Sequence, residues 1–330
     1  MAVLDRARHL TRWLTDPRLS RSYYPSEPHK SKLRILAELA WSRLRDGEVN
    51  KYYYAYGQDC KTPHRDTIGY QKFRRIRDRA NRAGPYDYVC VLRDKFLSAL
   101  FLATFGIPTP RTYAVFEGDR VIWKNPDLET LDIVGFCKPL TGTCGVGARP
   151  FNPKNAELDG RYLFQERLQQ HPDMAALHPA SVNTVRLITF HDNDVELFSA
   201  AQRIGAHNMQ VDNWAAGGLV TRINPQTGQL EGDAYFRPGH GTRTPTHSDT
   251  GIAFHGYRIP YFYEAVTLVK QAHRHIPDIY SVGWDVAITP KGPVIIEGND
   301  DWEGGIPMVL EKDFKPRFLA KFPNRNVRLP

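Results

Sequence analysis

The sequence predicts an α+β protein whose strands are gathered in its second half. Two observations carry this. Five strand-like stretches, at 133–138, 162–168, 182–190, 195–204 and 218–223, follow one another with turn residues between them. Helical spacing is confined to the N-terminal region and to isolated stretches further on, without the regular alternation of a parallel βαβ wind. A chain of 330 residues is long enough for two or three subdomains with cores of their own.

In chain order, residues 1–83 read as helical and basic. Apolar spacing recurs at Leu33, Ile35, Leu36, Leu39 and Ala40, and again at Phe73 and Ile76. The tyrosines at 52–54 and 56 read as packing. Asp94 is positioned to cap a short helix over 94–105, and Gly106 stops it. Ile107-Pro108-Thr109-Pro110 forces an extended entry into a hairpin, 111–116 and 120–123, turning at Gly118-Asp119. Beyond the strand-rich stretch, Pro225-Gln226-Thr227-Gly228 is a turn, and 232–256, rich in Gly, Thr and His, reads as a long loop. A helix over 261–275, a hairpin of 282–289 and 293–298, and a closing helix over 306–322 complete the chain. The expected division is a helical region over 1–90 and a larger domain over 91–330. Within the latter, a lid-type subdomain spans about 111–168 and a metal-binding lobe about 169–330.

Composition bounds the function. With 41% hydrophobic and 24% charged residues the chain is of ordinary globular type. It contains no run of roughly 18–20 apolar residues, so no membrane span is expected. The N-terminus lacks an apolar secretory core, and Cys60, Cys90, Cys137 and Cys144 form no CxxC pair, so reduced thiols and a cytoplasmic location are expected. The net charge of +8 is concentrated at Arg65, Lys72, Arg74, Arg75, Arg77, Arg79 and Arg82, against Asp66 and Asp78. Such a run suits nucleic acid, an anionic surface or a phosphorylated substrate, and equally a solvated helix face. Nucleic acid is disfavoured, because Phe73 alone interrupts the basic residues and no RNA-binding module surrounds them.

The most informative segment is the acidic hairpin over 283–299. With Pro290-Lys291-Gly292 as a three-residue loop, Thr289 faces Pro293 and Asp285 faces Glu297, while Asn299 shares their side of the sheet. Facing carboxylates repel, and a cation between them removes the penalty. Two carboxylates and an amide oxygen are hard ligands suited to one or two Mg²⁺. On this reading Val286, Ile288, Val294 and Ile296 pack on the core. An exposed acidic face and a glycosidase pair are the other readings of two close carboxylates.

A second segment, Lys138-Pro139-Leu140-Thr141-Gly142-Thr143-Cys144-Gly145-Val146-Gly147, follows a strand. Its backbone N–H groups and hydroxyls can turn toward phosphate oxygens, with Lys138 as a point charge. It matches neither a Walker loop nor GxGxxG, and an ordinary flexible loop is the competing reading.

Taken in order, these pieces resemble the ATP-grasp superfamily over about 94–310. They are Asp94-Lys95 followed by 106–110, Lys138-Pro139 with its glycine loop, Gln165-Glu166 on a strand, and Asp285 with Glu297-Gly298-Asn299. The stretch His178-Pro179-Ala180-Ser181-Val182-Asn183-Thr184-Val185-Arg186, with Asp212-Asn213 and Gly217-Gly218, is similar to the sugar-transfer-associated branch, related to α-L-glutamate ligases and linked to polysaccharide and cell-surface polymer synthesis. The resemblance implies that ATP is held between two α+β lobes, with the basic helical region in front. Lys95 and Lys138 would hold phosphates, and Gly142, Thr143, Gly145 and Gly147 would belong to the mobile cover. Gln165, Glu166 and Leu168 would line the adenine, and Asp173 would take the ribose, with His171 competing for that place. Asp285, Glu297 and Asn299 would bind Mg²⁺, and Arg203, Arg186 and Asn213 would serve catalysis. One departure stands out: several ligases of the family carry an Arg two residues before the first metal Asp, and here that residue is Gly283. The charge would then come from Arg203 or Arg186.

The implied reaction is phosphoryl transfer from ATP to a carboxylate, giving an acyl phosphate that an amine attacks. The implied partners are small-molecule or glycan-linked acids and amines, with contact to an anionic surface possible through the basic region. A kinase acting on a sugar or alcohol, and a non-catalytic binder of nucleotide or anionic polymer, are the alternatives.

Overall fold

Local signals start and stop the helices. The Ser31 hydroxyl accepts from the Arg34 N–H at the head of α1 (Lys32–Asp46), and Gly47, in the left-handed region, ends it. Helix α2 (Tyr70–Asn81) carries most of the basic run, and a single turn, α3 (Cys90–Arg93), leads into α4 (Lys95–Thr104). Asp94 caps α4 by accepting from the N–H groups of Phe96 and Leu97 at 2.9 and 3.0 Å, as its sequence position suggested. The computed structural model describes residues 19–84, 87–142, 147–154, 158–276 and 278–322.

Five strands follow: β1 (Thr112–Glu117), β2 (Arg120–Lys124), β3 (Gly135–Pro139), β4 (Arg149–Phe151) and β5 (Arg161–Gln165). They form one antiparallel sheet in the order β2-β1-β5-β3-β4. After α5 (Pro172–Leu177), strands β6 (Thr184–His191), β7 (Val195–Ile204), β8 (Leu219–Ile223), β9 (Leu230–Phe236) and β10 (Arg243–Thr244) build a second sheet. A 3-10 turn at Trp214–Ala216 precedes β8. Helix α6 (Phe262–Arg274) separates β10 from the hairpin β11 (Ser281–Thr289) and β12 (Gly292–Asn299), which completes the order β10-β9-β8-β7-β6-β11-β12. Two short helices, α7 (Gly305–Leu310) and α8 (Phe314–Ala320), end the described chain.

The seven-stranded sheet is buried on both faces. Trp284, Val286 and Ile288 of β11 pack with Phe262, Ala265 and Val269 of α6 on one face. On the other, Phe190 and Val220 pack with Phe73 and Ile76 of α2 and with Phe314 and Phe318 of α8. Neighbours such as Leu219 and Val220 go to opposite cores, as strand alternation requires. Burial on both sides explains why β11 is buried along its whole length.

The N-terminal region therefore shares a core with the C-terminal lobe. Tyr52 and Tyr56 are buried to 1% exposure there, which bears out their reading as packing residues. Part of the basic run is also structural. The Arg77 guanidinium donates to the Trp302 carbonyl, and Arg65 Nε donates to the Val309 carbonyl at 3.0 Å. Asn81 at the end of α2 clasps the lobe from both sides of its amide: Nδ2 donates to the carbonyls of Ser281 and Asp300 at 2.8 and 2.7 Å, and Oδ1 accepts from Ser281 N at 2.8 Å. By contrast Lys72, Arg74, Arg75, Arg79 and Arg82 are exposed.

Three sequence expectations are corrected. Residues 232–256 are not one loop, because β9 pairs with β8 and β10 with β9 inside that stretch. The closing helix is two helices, interrupted where Glu311, in extended conformation, turns its carboxylate to Ser199 and Arg317. The strand expected over 162–168 ends at Gln165, so Glu166 and Leu168 lie beyond it. Among the described residues no helix is long and apolar enough to cross a membrane, and Cys60, Cys90 and Cys137 are free thiols.

Candidate active site

The hairpin β11–β12 brings Asp285 opposite Glu297, with Asn299 on the same side, by a route the sequence did not suggest. Thr289 pairs with Gly292, not Pro293, so the connection is a two-residue turn. The Thr289 hydroxyl closes it, accepting from Lys291 N at 3.1 Å and donating to the Gly292 carbonyl at 2.9 Å, and Gly292 takes φ +120°. A shorter turn alone would have moved Asp285 one register off Glu297. A bulge between Asp285 and Val286 restores the pairing. The same bulge re-aims β12: Ile295 is fully buried, whereas Val294 and Ile296, expected on the core, are only half-buried.

Asp285 sits at 3% exposure among charges. On its far side β6 places Arg186 directly across the ladder. Arg186 approaches Oδ1 through Nε at 2.7 Å and donates from Nη2 to Oδ2 at 3.0 Å. Arg203, from β7, donates from Nη1 to Oδ2 at 2.9 Å and from Nη2 to Asp212 Oδ1 at 3.1 Å. Asp212 is held in turn by the Thr184 N–H at 2.9 Å and by the Thr184 hydroxyl. Burial pushes the Asp285 carboxyl up, but Arg186 and Arg203 more than offset it and hold it below the usual carboxylate range.

Gly283 finds its explanation here. A Cβ at this position would meet Trp302 Cβ at 2.5 Å and Arg186 Nη1 at 3.1 Å. The volume that a side chain two residues before Asp285 would need is already filled by Trp302 and the Arg186 guanidinium.

The donor set fits a hard cation on two observations. Asp285 Oδ1 is buried and accepts no hydrogen bond in spite of its close approach to Arg186 Nε. Asp285 and Glu297 face each other across the β11–β12 ladder, and a cation between facing carboxylates removes their repulsion. Asn299 directs Nδ2 to the Gly283 carbonyl at 3.3 Å, which leaves its amide oxygen as the ligand atom.

The five-stranded sheet contributes Lys138, at 9% exposure. Burial pulls its ammonium down to about 8; Glu297 and Asp285 oppose that pull, and Lys95 adds to it. All three charges thus act on the Lys138 ammonium. Lys95, at the head of α4, reaches the segment that follows β3. Its backbone N–H reaches the Leu140 carbonyl at 3.3 Å, and its Nζ donates to the Gly142 carbonyl at 2.7 Å. Gly142 at φ +127° and Gly147 at φ +78° take left-handed conformations that favour glycine. Thr143 and Gly145 lie outside the described residues.

The other expected site residues have local surroundings of their own. The Gln165 amide is spent on the Pro110 carbonyl and the Thr112 hydroxyl, at 3.3 and 3.0 Å. Glu166 gives its N–H to the Arg111 carbonyl at 2.9 Å, and Leu168 is half-buried just beyond. Asp173 is exposed in the first turn of α5, where His171 Nδ1 accepts its N–H at 3.2 Å. Asn213 caps the 3-10 turn, its side-chain oxygen accepting from Ala215 N at 2.8 Å. Asp212 was not singled out as a site residue from the sequence. Its adjacency to Asn213 in a recognised motif was the one available signal.

The profile of the sugar-transfer associated ATP-grasp family matches residues 152–322. That match spans just over half of the chain and contains β6 to β12 with Arg186, Arg203, Asp285, Glu297 and Asn299. The chain belongs to the sugar-transfer associated ATP-grasp family and has the ATP-grasp fold. Its structure is similar to that of an ATP-grasp superfamily protein from Archaeoglobus fulgidus, at 15% identity and a TM-score of 0.38, over 79% of this chain and 65% of that one. It is also similar to the ATP-grasp ligase PsnB complexed with minimal precursor, Mg and ADP, at 14% identity and a TM-score of 0.39, over 71% and 60%. A third likeness is to D-alanine–D-alanine ligase from Bacillus anthracis, at 11% identity and a TM-score of 0.41, over 71% and 68%. The chain thus spans less than two thirds of the length of the first of these structures. A search of curated proteins returned no match.

Proposed function

We propose that this chain is an ATP- and Mg²⁺-dependent ligase that activates a carboxylate as an acyl phosphate and joins it to an amine, in polysaccharide, cell-surface polymer or natural-product synthesis. The observation that supports it most is the convergence of Lys138 with the Asp285–Glu297 pair and the two guanidiniums on Asp285. Asp285, Glu297 and Asn299 would hold Mg²⁺, which supplies charge neutralisation at the phosphates when bound.

The chain's own groups do the rest. Lys138 and Lys95 bind phosphate oxygens, under a cover that includes Gly142, Thr143, Gly145 and Gly147. The segment of Gln165, Glu166 and Leu168 lines the adenine, and Asp173 lies toward the ribose. Arg186 and Arg203 face the charge that develops on the transferring group. Asn213 acts through position, holding the turn that carries Asp212. Little covalent work is asked of the protein; orientation and charge dominate.

The test is a product analysis with ATP, Mg²⁺ and a panel of sugar acids and amino acids, with hydroxylamine as the trapping amine. ADP, free phosphate and a hydroxamate in equal amounts are expected. A phosphorylated acceptor without free phosphate would instead make the chain a kinase. Nucleotide affinity indifferent to Mg²⁺ would remove the reading altogether.

A further inference from the structure

Helix α1, outside the segment that the family profile matches, packs on one side and leaves an apolar stripe on the other. Ile35 and Leu39 are buried with Tyr53. Outward, Leu33, Leu36, Trp41 and Leu44 are 80%, 43%, 62% and 79% exposed. Leu33 and Leu44 are the most exposed large apolar side chains among the described residues. Isolated exposed leucines are ordinary, but these are contiguous. At about 100° per residue, Leu36, Ala40, Leu33, Leu44, Ala37 and Trp41 follow one another across about 140° of the helix surface. Both alanines are exposed as well. The fold does not need this stripe, and an apolar strip of this kind marks an interaction surface.

The charges of α1 are sorted about this stripe. On the same helical wheel Lys32 and Arg43 lie just beyond Leu36, and Arg34 and Arg45 just beyond Trp41, so two cations line each long border. No acid falls within the stripe or between it and these cations. Glu38 and Asp46 lie toward the side that carries Ile35 and Leu39, and both are engaged. Glu38 accepts from Lys30 Nζ at 2.8 Å, from the Tyr53 hydroxyl at 2.6 Å and from Arg34 Nε at 3.1 Å. Asp46 accepts from Arg45 Nε and Nη2 at 3.0 and 2.7 Å. Such exposed ion pairs contribute little, and they leave further guanidinium N–H groups of Arg34 and Arg45 open to an acceptor. Arg43 donates to the Gly47 carbonyl at 2.9 Å, and neither it nor Lys32 forms an ion pair among the described residues.

This order of charges selects the occupant. A helix lying in the plane of an anionic bilayer buries its apolar face between lipid phosphates on either side, which is the pattern of the two borders. A second copy laid face to face would set cation against cation along both borders. With 15 residues, α1 is about 22 Å long, too short and too charged to cross a bilayer, so it would lie along the surface. The Gln71 N–H donates to Glu48 Oε1 at 2.7 Å, which sets the start of α2, with its exposed Lys72, Arg74 and Arg75, beside the end of α1. We propose that α1 docks this chain on an anionic lipid surface: the stripe from Leu33 to Leu44 enters the acyl boundary, and Lys32, Arg34, Arg43 and Arg45 meet lipid phosphates. The inference goes beyond the ligase reading and does not depend on it.

Vesicle co-sedimentation of the full chain tests it. One arm uses equal parts of phosphatidylcholine and phosphatidylglycerol, the other phosphatidylcholine alone. The wild type should bind the mixed vesicles at least tenfold more tightly, and added salt should weaken that binding. Leu33→Ser combined with Leu44→Ser should weaken it tenfold or more, whereas methionine at both positions should retain most of the affinity. Lys32→Gln should weaken it about fivefold. Because Leu33 and Leu44 are exposed, the thermal midpoint of the serine variant should match that of the wild type. The proposal is overturned if the wild type ignores the mixed vesicles or binds both kinds equally, or if the serine variant binds as the wild type does. It is equally overturned if the serine pair lowers the thermal midpoint, since the stripe would then be packed within the molecule. Conversion of a wild-type dimer to a monomer by the same pair on gel filtration would make the occupant a second copy and overturn it too.

Discussion

Arg203 joins an acid of the seven-stranded sheet to one in the loop after β7: one guanidinium nitrogen contacts Asp285 Oδ2 at 2.9 Å and the other Asp212 Oδ1 at 3.1 Å. All three side chains are buried, so the link is structural as well as electrostatic. Removing one member of a buried ionic set leaves an uncompensated charge, at about 3–5 kcal/mol. Arg203→Met should lose stability of that order in urea, and Arg186→Met less, because Asp285 keeps Arg203. In a double-mutant cycle, Arg203→Met and Asp212→Asn should be strongly non-additive. Simple additivity would show that the two groups do not act together.

Gly283 leaves room for Trp302 and Arg186. Gly283→Ala should cost about 1–3 kcal/mol through overpacking of a filled site, read from the urea midpoint. Gly283→Arg should not rescue Arg186→Met, since Trp302 blocks the space at 2.5 Å from the first side-chain carbon. Recovery of stability in that double variant would contradict the packing argument.

Lys138 gives a pH signature. Its pKa is about 8 in the fold against an ordinary 10.5. Between those values the unfolded chain binds more protons than the native one, so stability rises with pH from about 8 to 10.5 and is unaffected by this group below 8. Lys138→Met should flatten the slope in that window and leave it unchanged at pH 6–7. Parallel profiles for wild type and variant would refute the assignment.

His273 gives the opposite edge. It is fully buried; Nε2 donates to the Ile279 carbonyl at 2.8 Å, while Nδ1 meets the Thr189 hydroxyl at 2.8 Å. That hydroxyl oxygen already accepts from Trp284 Nε1 at 2.8 Å, which favours a neutral ring. Burial lowers the His273 pKa from 6.5 to about 4. The unfolded state therefore takes up a proton first on acidification, and stability falls as pH drops from about 6.5 to 4. His273→Gln should reduce that acid slope. An unchanged slope would mean that other groups dominate it.

The sequence by itself determined what is written locally. Asp94 and Gly106 bounded α4, Gly118-Asp119 turned the first hairpin, and strand alternation put Asp285, Glu297 and Asn299 on one side. Lys138 was legible as a lysine at a strand end before a glycine-rich loop. These signals survive because caps, tight turns and period-two alternation act within a few residues. The tertiary structure decided the rest. A two-residue turn and a bulge compensated each other to keep the acids facing, something symmetry about Lys291 could not reveal. β9 formed on the edge of β8 and β10 on the edge of β9, and Asn213 was drawn to a cap. Arg186 and Arg203 both reach Asp285, because β6 lies beside β11 and β7 beside β6 in the sheet. Such pairings join residues about 80 to 100 positions apart, and no local pattern encodes a partner at that distance.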